Sequence, residues 1–322
     1  MNTFPASPRP PRLGLGCATL GAPPPELDDR AAQAVMRAAI ERGIRFFDVA
    51  PLYGGGLAEE RLGRALAGLP RDDYVLCTKT GVTRAHGTTA LPPGATRRRE
   101  RDRWDYSPPA TRASVLRSLE RLRVDRLDVV HLHDVEQHLD VCLEAHGELS
   151  RLRDQGLVGA IGIGSNLAAP VMALLERAPF DTFLLAGCYT LLDQSGRALL
   201  DAAHARGMRV VVGGIFNSGV LATWPQAQPT FAYAPAEAAV RARTDTIAAV
   251  CARHGVPLAA AALHFAASHP AVDTVLIGPR TIAELDANLA ALAFPIPGAL
   301  WPDLAQAVAV PFPDVLPHGE SA

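Results

Sequence analysis

A chain of 322 residues that is 48% hydrophobic and 20% charged can bury a large core and is unlike a disordered polypeptide. Its 31 basic and 33 acidic residues leave a formal net charge of -2, so nothing in the charge balance attracts nucleic acid or an anionic membrane surface. Five scattered cysteines (Cys17, Cys77, Cys142, Cys188, Cys251) without a CxxC pair argue against a zinc knuckle or a disulfide framework and suit a reducing compartment. Residues 1–12 carry no apolar signal core, and no run approaches the ~18 apolar residues of a bilayer span. The sequence reads as a soluble cytoplasmic enzyme with neither nucleic-acid nor membrane partners.

After a Pro-rich tail (1–11), a strand is expected over 12–19 and a helix over 28–43, with acidic residues at its start and a glycine at its end. Strand 44–49 contains Asp48 and runs into the loop Ala50-Pro51-Leu52-Tyr53-Gly54-Gly55-Gly56. Helices at 57–69, 109–122, 138–155, 168–177, 197–207, within 235–268 and at 281–292 then alternate with strands at 74–78, 127–133, 159–164, 182–188, 209–213 and 272–277. The continuous runs Val210-Val211-Val212 and Thr274-Val275-Leu276-Ile277 suit strands buried on both faces. Eight βα units fit a single (β/α)8 TIM barrel spanning 1–322. An open dinucleotide-binding sheet would want a GxGxxG turn, and Gly14-Leu15-Gly16-Cys17-Ala18-Thr19 lacks the third glycine. The Pro-rich segment 293–322 is expected to hold little helix and to pack across the barrel or fray.

Two long loops follow strands and so belong to the barrel's C-terminal face, where active sites are built. Residues 82–108 carry Arg97-Arg98-Arg99, Arg101, Arg103, Trp104, Asp105 and Tyr106; residues 214–236 carry Asn217, Trp224, Phe231 and Tyr233. The arginine cluster reads as a solvated lid surface.

Lys79 stands out. It is the only lysine in the chain, so ordinary surface cations here are written as arginine. An ammonium is a compact point charge that can sit against one phenol or carboxylate, whereas a guanidinium is a wide fork. Asp48 and Tyr53 after the second strand, Lys79 on the third and His133 on the fourth fall at successive strand ends, which converge on one pocket in such a barrel. An ammonium beside a phenol lowers its pKa from about 10. Asp48 can hold that ammonium, and a neutral imidazole can orient a substrate oxygen without adding a second full charge.

Phe47-Asp48-Val49-Ala50-Pro51-Leu52-Tyr53-Gly54, Glu60-Arg61-Leu62-Gly63, Thr78-Lys79 and Leu127-Asp128-Val129-Val130-His131-Leu132-His133 resemble the aldo-keto reductases along residues 12–292. The resemblance implies that Asp48, Tyr53, Lys79 and His133 form the catalytic tetrad, with Tyr53 as acid/base and a nicotinamide cofactor extended across the barrel mouth. It selects His133 over His131, five residues after Asp128. Ser165 and Asn166 match the pair that holds the nicotinamide carboxamide; Gly213, Asn217 and Ser218 fall on the cofactor side after the seventh strand; Gly278, Arg280, Glu284 and Asn288 fall where the adenosine end is gripped. Two positions depart from the family pattern: Ala186 aligns with a frequent Gln, and Gly213-Gly214 stand where an aromatic usually stacks on the nicotinamide.

Within the family, Trp104-Asp105-Tyr106-Ser107, His133-Asp134 and Gly213-Gly214-Ile215-Phe216-Asn217-Ser218-Gly219 resemble the dehydrogenases of L-fucose, L-galactose and D-threo-aldoses, and pyridoxal 4-dehydrogenase. That implies oxidation of a cyclic hemiacetal, an aldose sugar, to its lactone. Glu284 at a position where the family often has Arg implies NAD, with NADP possible. Three other readings stay open: a general aldehyde reductase, a metal-dependent barrel hydrolase using His131-x-His133, and a non-catalytic cofactor-sensing subunit.

Overall fold

The computed structural model describes residues 12–21, 27–83, 103–232 and 234–308. The arginines Arg97–Arg99 and Arg101, Tyr233, the 1–11 tail and residues 309–322 lie outside them. Eight parallel strands, β1 (Arg12–Gly16), β2 (Phe46–Asp48), β3 (Val75–Thr80), β4 (Leu127–His133), β5 (Val158–Ser165), β6 (Thr182–Ala186), β7 (Val210–Gly213) and β8 (Val272–Ile277), close into a barrel in chain order, with β8 pairing β1. The helices are α1 (Asp29–Glu41), α2 (Leu57–Leu66), α3 (Pro108–Leu122), α4 (Cys142–Asp154), α5 (Ala168–Leu175), α6 (Arg197–Ala205), α7 (Ala238–Arg253), α8 (Leu258–Ala267), α9 (Ile282–Ala293) and α10 (Leu300–Val308). This is the (β/α)8 barrel that the alternation of elements predicts.

Several boundaries differ from the expectation, each for a local reason. The first strand stops at Gly16 because, after a last ladder bond from the Cys17 N–H to the Asp48 carbonyl, residues 17–20 turn, Leu20 donating to the Cys17 carbonyl. The 235–268 stretch splits into α7 and α8, bent by 98° across Gly255 (φ +65°) and Pro257. The C-terminal stretch holds more helix than expected: α10 packs on α7, with His254 Nε2 2.8 Å from Asp303 Oδ2. Inside the two long loops, Val82–Thr83 pairs Arg103–Trp104 and Thr230–Phe231 pairs Ala234–Pro235. Among the described residues no single helix is long and apolar enough to cross a membrane.

The core has two layers. The larger lies between the strands and the helical ring; the smaller fills the barrel itself and contains Phe46, Val75, Cys77, Val129, Ala160, Leu184, Val211 and Leu276. Because side chains alternate across a strand, the residue two steps beyond an inner-layer residue also faces the barrel axis. Phe46 leads to Asp48, Cys77 to Lys79, and Val129 to His131 and His133. The apolar inner layer is the floor of a polar cup.

The Glu60-Arg61-Leu62-Gly63 segment proves to be scaffold. Arg61, 5% exposed, donates to the carbonyls of Leu20 (2.6 Å) and Leu27 (2.9 Å) and to Asp29 (2.8 Å), tying α2 to the β1–α1 connection. Gly63 lets α2 meet the end of α3, since a Cβ there would lie 2.6 Å from the Arg121 carbonyl oxygen. Gly63→Ala is expected to destabilise the fold by about 1–3 kcal/mol because the obstacle is backbone. Gly147→Ala, exposed in the middle of α4 with nothing within 4 Å of its Cβ, is expected to stabilise it by about 0.5–1 kcal/mol. Urea denaturation of the two variants against wild type checks the contrast; equal effects would rule out the packing account.

Candidate active site

The cup is organised by one ion pair. Lys79 Nζ donates to Asp48 Oδ1 at 2.5 Å and to the Val49 carbonyl at 3.0 Å, with the two side chains 2% and 4% exposed. The ammonium also lies 4.9 Å from the centroid of the Tyr53 ring. Burial alone would push the Lys79 pKa down, but Asp48 and the hydrogen-bonded Tyr53 raise it, so Lys79 stays an ammonium. Burial pushes the Asp48 pKa up against the pull of that ammonium. Asp48 Oδ2 is buried with no partner among the described residues, so the carboxylate spends its bonded oxygen on Lys79 alone.

Tyr53 opens a 3-10 turn, Tyr53–Gly56, in which Gly54 and Gly55 take φ of +67° and +64°. That curl turns the chain back over the end of β2. The Tyr53 ring meets the His133 ring edge to face, centroids 5.8 Å apart at 88°. Burial and then the Lys79 charge hold the His133 pKa well below the usual imidazole range, against a smaller upward influence of Glu136. His133 is therefore a neutral imidazole at neutral pH, with its Nδ1 buried and unpartnered among the described residues. The structure thus brings all four tetrad residues into one cluster.

His131 sits a layer deeper, register partner of Lys79, fully buried and with neither ring nitrogen partnered among the described residues. Gly162 makes room for it: a Cβ there would lie 2.5 Å from His131 Cδ2. Among the described residues no group of three or more His, Cys, Asp or Glu side chains is disposed to hold a metal ion, so the His131-x-His133 pair has no third ligand there.

The rim is fixed from behind. Tyr106, 2% exposed, donates its hydroxyl to the His133 carbonyl and also to that of Asp134 at 3.3 Å, and its ring lies over Gly81. His138 packs against both Trp104 and Tyr106, with centroids 5.8 and 5.6 Å away. Glu59, completely buried, accepts from Thr78 at 2.7 Å and from Arg121 at 2.7 Å, bracing β3 beside Lys79.

The remaining sequence-named residues form two further groups around the mouth. Ser165 ends β5 and Asn166 follows it, beside β4, where His133 registers with Gly164. Asn217 and Ser218 take left-handed φ of +45° and +62° after Gly213; Asn217 is 6% exposed, its Nδ2 donates to the Gly187 carbonyl at 3.3 Å, and its Oδ1 is unpartnered among the described residues. Gly278, Arg280, Glu284 and Asn288 lie on the β8–α9 connection and α9, and β8 stands opposite β4 in the strand order. There the Arg280 N–H donates to Glu284 Oε2 at 2.7 Å and the Glu284 N–H to Thr281 Oγ1 at 3.1 Å, a cap on α9. Sequence reasoning missed Glu136, whose carboxylate binds both Ser165 and Asn166; the sign available was an acid three residues beyond the strand-end His133.

The donor set fits a nicotinamide dinucleotide. The buried Asn217 Oδ1 has no donor among the described residues, Ser165 and Asn166 offer polar groups beside His133, and Gly213-Gly214 leave bare backbone near them. The Aldo/keto reductase family profile matches residues 12–308. D-threo-aldose 1-dehydrogenase of a Pseudomonas species is 38% identical over 314 residues, covering 94% of this chain and 95% of that one. Pyridoxal 4-dehydrogenase of Microbacterium luteolum is 35% identical over 316 residues, covering 91% and 92%. An aldo-keto reductase of Bacillus halodurans, solved in its holo form, superposes with a TM-score of 0.72 at 26% identity over 95% of each chain.

Asp48→Asn removes the counter-charge of a buried ammonium and is expected to cost about 3–5 kcal/mol near pH 7. The sign of its pH dependence is specific. With the upward pull of Asp48 gone and only that of Tyr53 left, burial is expected to dominate in the variant and to bring the folded pKa of Lys79 below its unfolded value of about 10.4. The unfolded state then binds more protons, and stability rises with pH up to that unfolded value. The wild type, whose Lys79 pKa is raised, gains nothing from this group over the same range. Denaturant midpoints measured from pH 7 to 10 check this; parallel curves would show that Lys79 is not held by Asp48.

Proposed function

The chain belongs to the aldo/keto reductase family of oxidoreductases that use a nicotinamide cofactor, and on that premise we propose that it oxidises the cyclic hemiacetal of an aldose to the lactone. The observation that carries this reading is the buried Lys79 ammonium, paired with Asp48, lying 4.9 Å from the Tyr53 ring beside a neutral His133. Its likeness to an enzyme named D-threo-aldose 1-dehydrogenase supports the substrate class.

Tyr53 Oη, favoured as phenolate by the ammonium, accepts the proton of the anomeric hydroxyl. Lys79 stays protonated throughout and compensates the phenolate; Asp48 keeps it in place. His133, uncharged, hydrogen-bonds the same oxygen and aligns it without competing for the proton. When bound, the nicotinamide supplies the hydride acceptor for the anomeric carbon. Ser165, Asn166, Gly213, Asn217 and Ser218 hold that ring end, and Gly278, Arg280, Glu284 and Asn288 the adenosine end. A second reading, oxidation of the pyridoxal hemiacetal, draws on the 35% relative named for that substrate.

A spectrophotometric screen of aldoses and pyridoxal with NAD and NADP tests the proposal, and no turnover of any hemiacetal would overturn it. Tyr53→Phe is expected to leave below a tenth of kcat with cofactor affinity retained, since only the proton-transfer group is lost. Lys79→Arg is expected to be nearly as damaging as Lys79→Met, because the fork does not fit a point-charge site. An Arg variant with a normal pH–rate profile would remove Lys79 from its role.

We also propose that NAD is preferred, with some use of NADP. Glu284 already fills the acceptor position at the start of α9 and would repel a 2′-phosphate there. In kcat/KM the ratio of NAD to NADP is expected to fall about tenfold or more in Glu284→Arg, an energy change of about 1.4 kcal/mol. Glu284→Gln, which keeps an acceptor for the Arg280 N–H, separates charge from capping: an unchanged ratio in both variants would show that Glu284 does not set the choice.

A further inference from the structure

Glu136 stands on the 3-10 turn Val135–Gln137 that directly follows β4, and one of its oxygens serves three donors. Glu136 Oε1 accepts the Ser165 hydroxyl at 3.0 Å, the Asn166 backbone N–H at 2.8 Å and the Asn166 side-chain amide at 3.4 Å. The same amide donates to Asp134 Oδ1 at 3.1 Å. Asp134 itself takes a left-handed φ of +52°, which carries the chain from His133 into that turn.

Ionised carboxylates only accept hydrogen bonds. An asparagine amide set between two of them must turn its NH2 towards both, which leaves its Oδ1 as the group on offer. The Ser165 hydroxyl has one hydrogen, drawn to Glu136 or to the Leu167 carbonyl at 2.9 Å, and its oxygen accepts the Leu167 N–H at 3.1 Å. With their donors committed, Ser165 and Asn166 present acceptors. A ligand group seated on them has to donate.

We infer that Glu136, seconded by Asp134, is a positioning residue that fixes the Asn166 amide so that its Oδ1 reads the NH2 of the nicotinamide carboxamide. The inference rests on the proposed role of Ser165 and Asn166 as the seat of the nicotinamide ring. It also gives the site an anchor for the ring where Ala186 has no amide side chain to contribute.

Three probes separate the outcomes: NAD, its 3-acetylpyridine analogue, in which a methyl replaces the carboxamide NH2, and ADP-ribose, which has no nicotinamide. Dissociation constants for each are measured by titration of the full chain, or in the NADP series if that binds better. Wild type is expected to bind the analogue about tenfold more weakly than the natural cofactor, the loss expected when an acceptor that the bound ring would cover is left unpaired. In Glu136→Ala that discrimination is expected to fall to about twofold or less, with ADP-ribose affinity unchanged. Asn166→Ala provides the second route to the same loss should Glu136→Ala fold poorly. Tenfold discrimination retained in Glu136→Ala overturns the inference, as does an equal weakening of all three ligands, which marks a merely structural role. A wild type that turns over hemiacetals without discriminating the analogue overturns this inference and leaves the proposed activity standing; a wild type that binds none of the probes overturns both.

Discussion

The site depends on burying an ammonium. Lys79 and Asp48 are almost wholly withdrawn from water, and each pays heavily for it in desolvation. What offsets the penalty is contact at 2.5 Å, the Val49 carbonyl as a second acceptor, and the Tyr53 ring above. The same withdrawal makes the charge useful. In water an ammonium 5 Å from a phenol is largely screened, whereas at low dielectric its field acts on the phenol and on both imidazoles. Burial first, and then the Lys79 charge, lowers the pKa of His131 and of His133 and keeps both neutral.

Such a pair demands a rigid frame, and the barrel supplies it from three directions. The inner apolar layer, from Phe46 to Leu276, closes the floor beneath the charges and keeps water from below. Glu59, bonded to Thr78 and Arg121, braces β3 from its outer side, so the strand carrying Lys79 is fixed to both α2 and α3. Tyr106 reaches back across 27 residues to hold the carbonyl of His133, so the turn that carries Asp134 and Glu136 begins from a fixed point. Chemistry at the mouth therefore draws on contacts that never touch the mouth.

The side proposed for the cofactor is built differently from the side that holds Lys79 and Asp48. At the tetrad, charge and burial dominate. Around Ser165, Asn166 and Asn217 the determinants are hydrogen-bond direction and left-handed backbone, with Asn217 and Ser218 both at positive φ next to the bare Gly213-Gly214. Carboxylates, not a glutamine, order the polar groups there, because Asp134 and Glu136 can only accept.

The barrel was legible in the sequence because eight apolar strand runs and their following helices are local patterns, each set by a few neighbouring side chains. Lys79 was legible too, as the one lysine in an arginine-rich chain, and Asp48, Tyr53 and His133 by their places at strand ends. The helix over 300–308 was not, since its stability comes from packing on α7 rather than from its own Pro-interrupted sequence. Nor was it legible that Arg61 and Gly63 serve the scaffold, because their partners Leu20, Leu27 and Arg121 lie 34 to 58 residues away in the chain. Glu136 shows the same divide most sharply. As a sequence position it is one acid among 33 acidic residues; only closure of β4 against β5 brings it under Ser165 and Asn166. Sequence alone determined which groups could carry the chemistry, because reactivity belongs to residue types. Tertiary structure decided which of them meet, because hydrogen bonds and charges act over a few ångströms and strand pairing, not chain distance, sets who lies within that range.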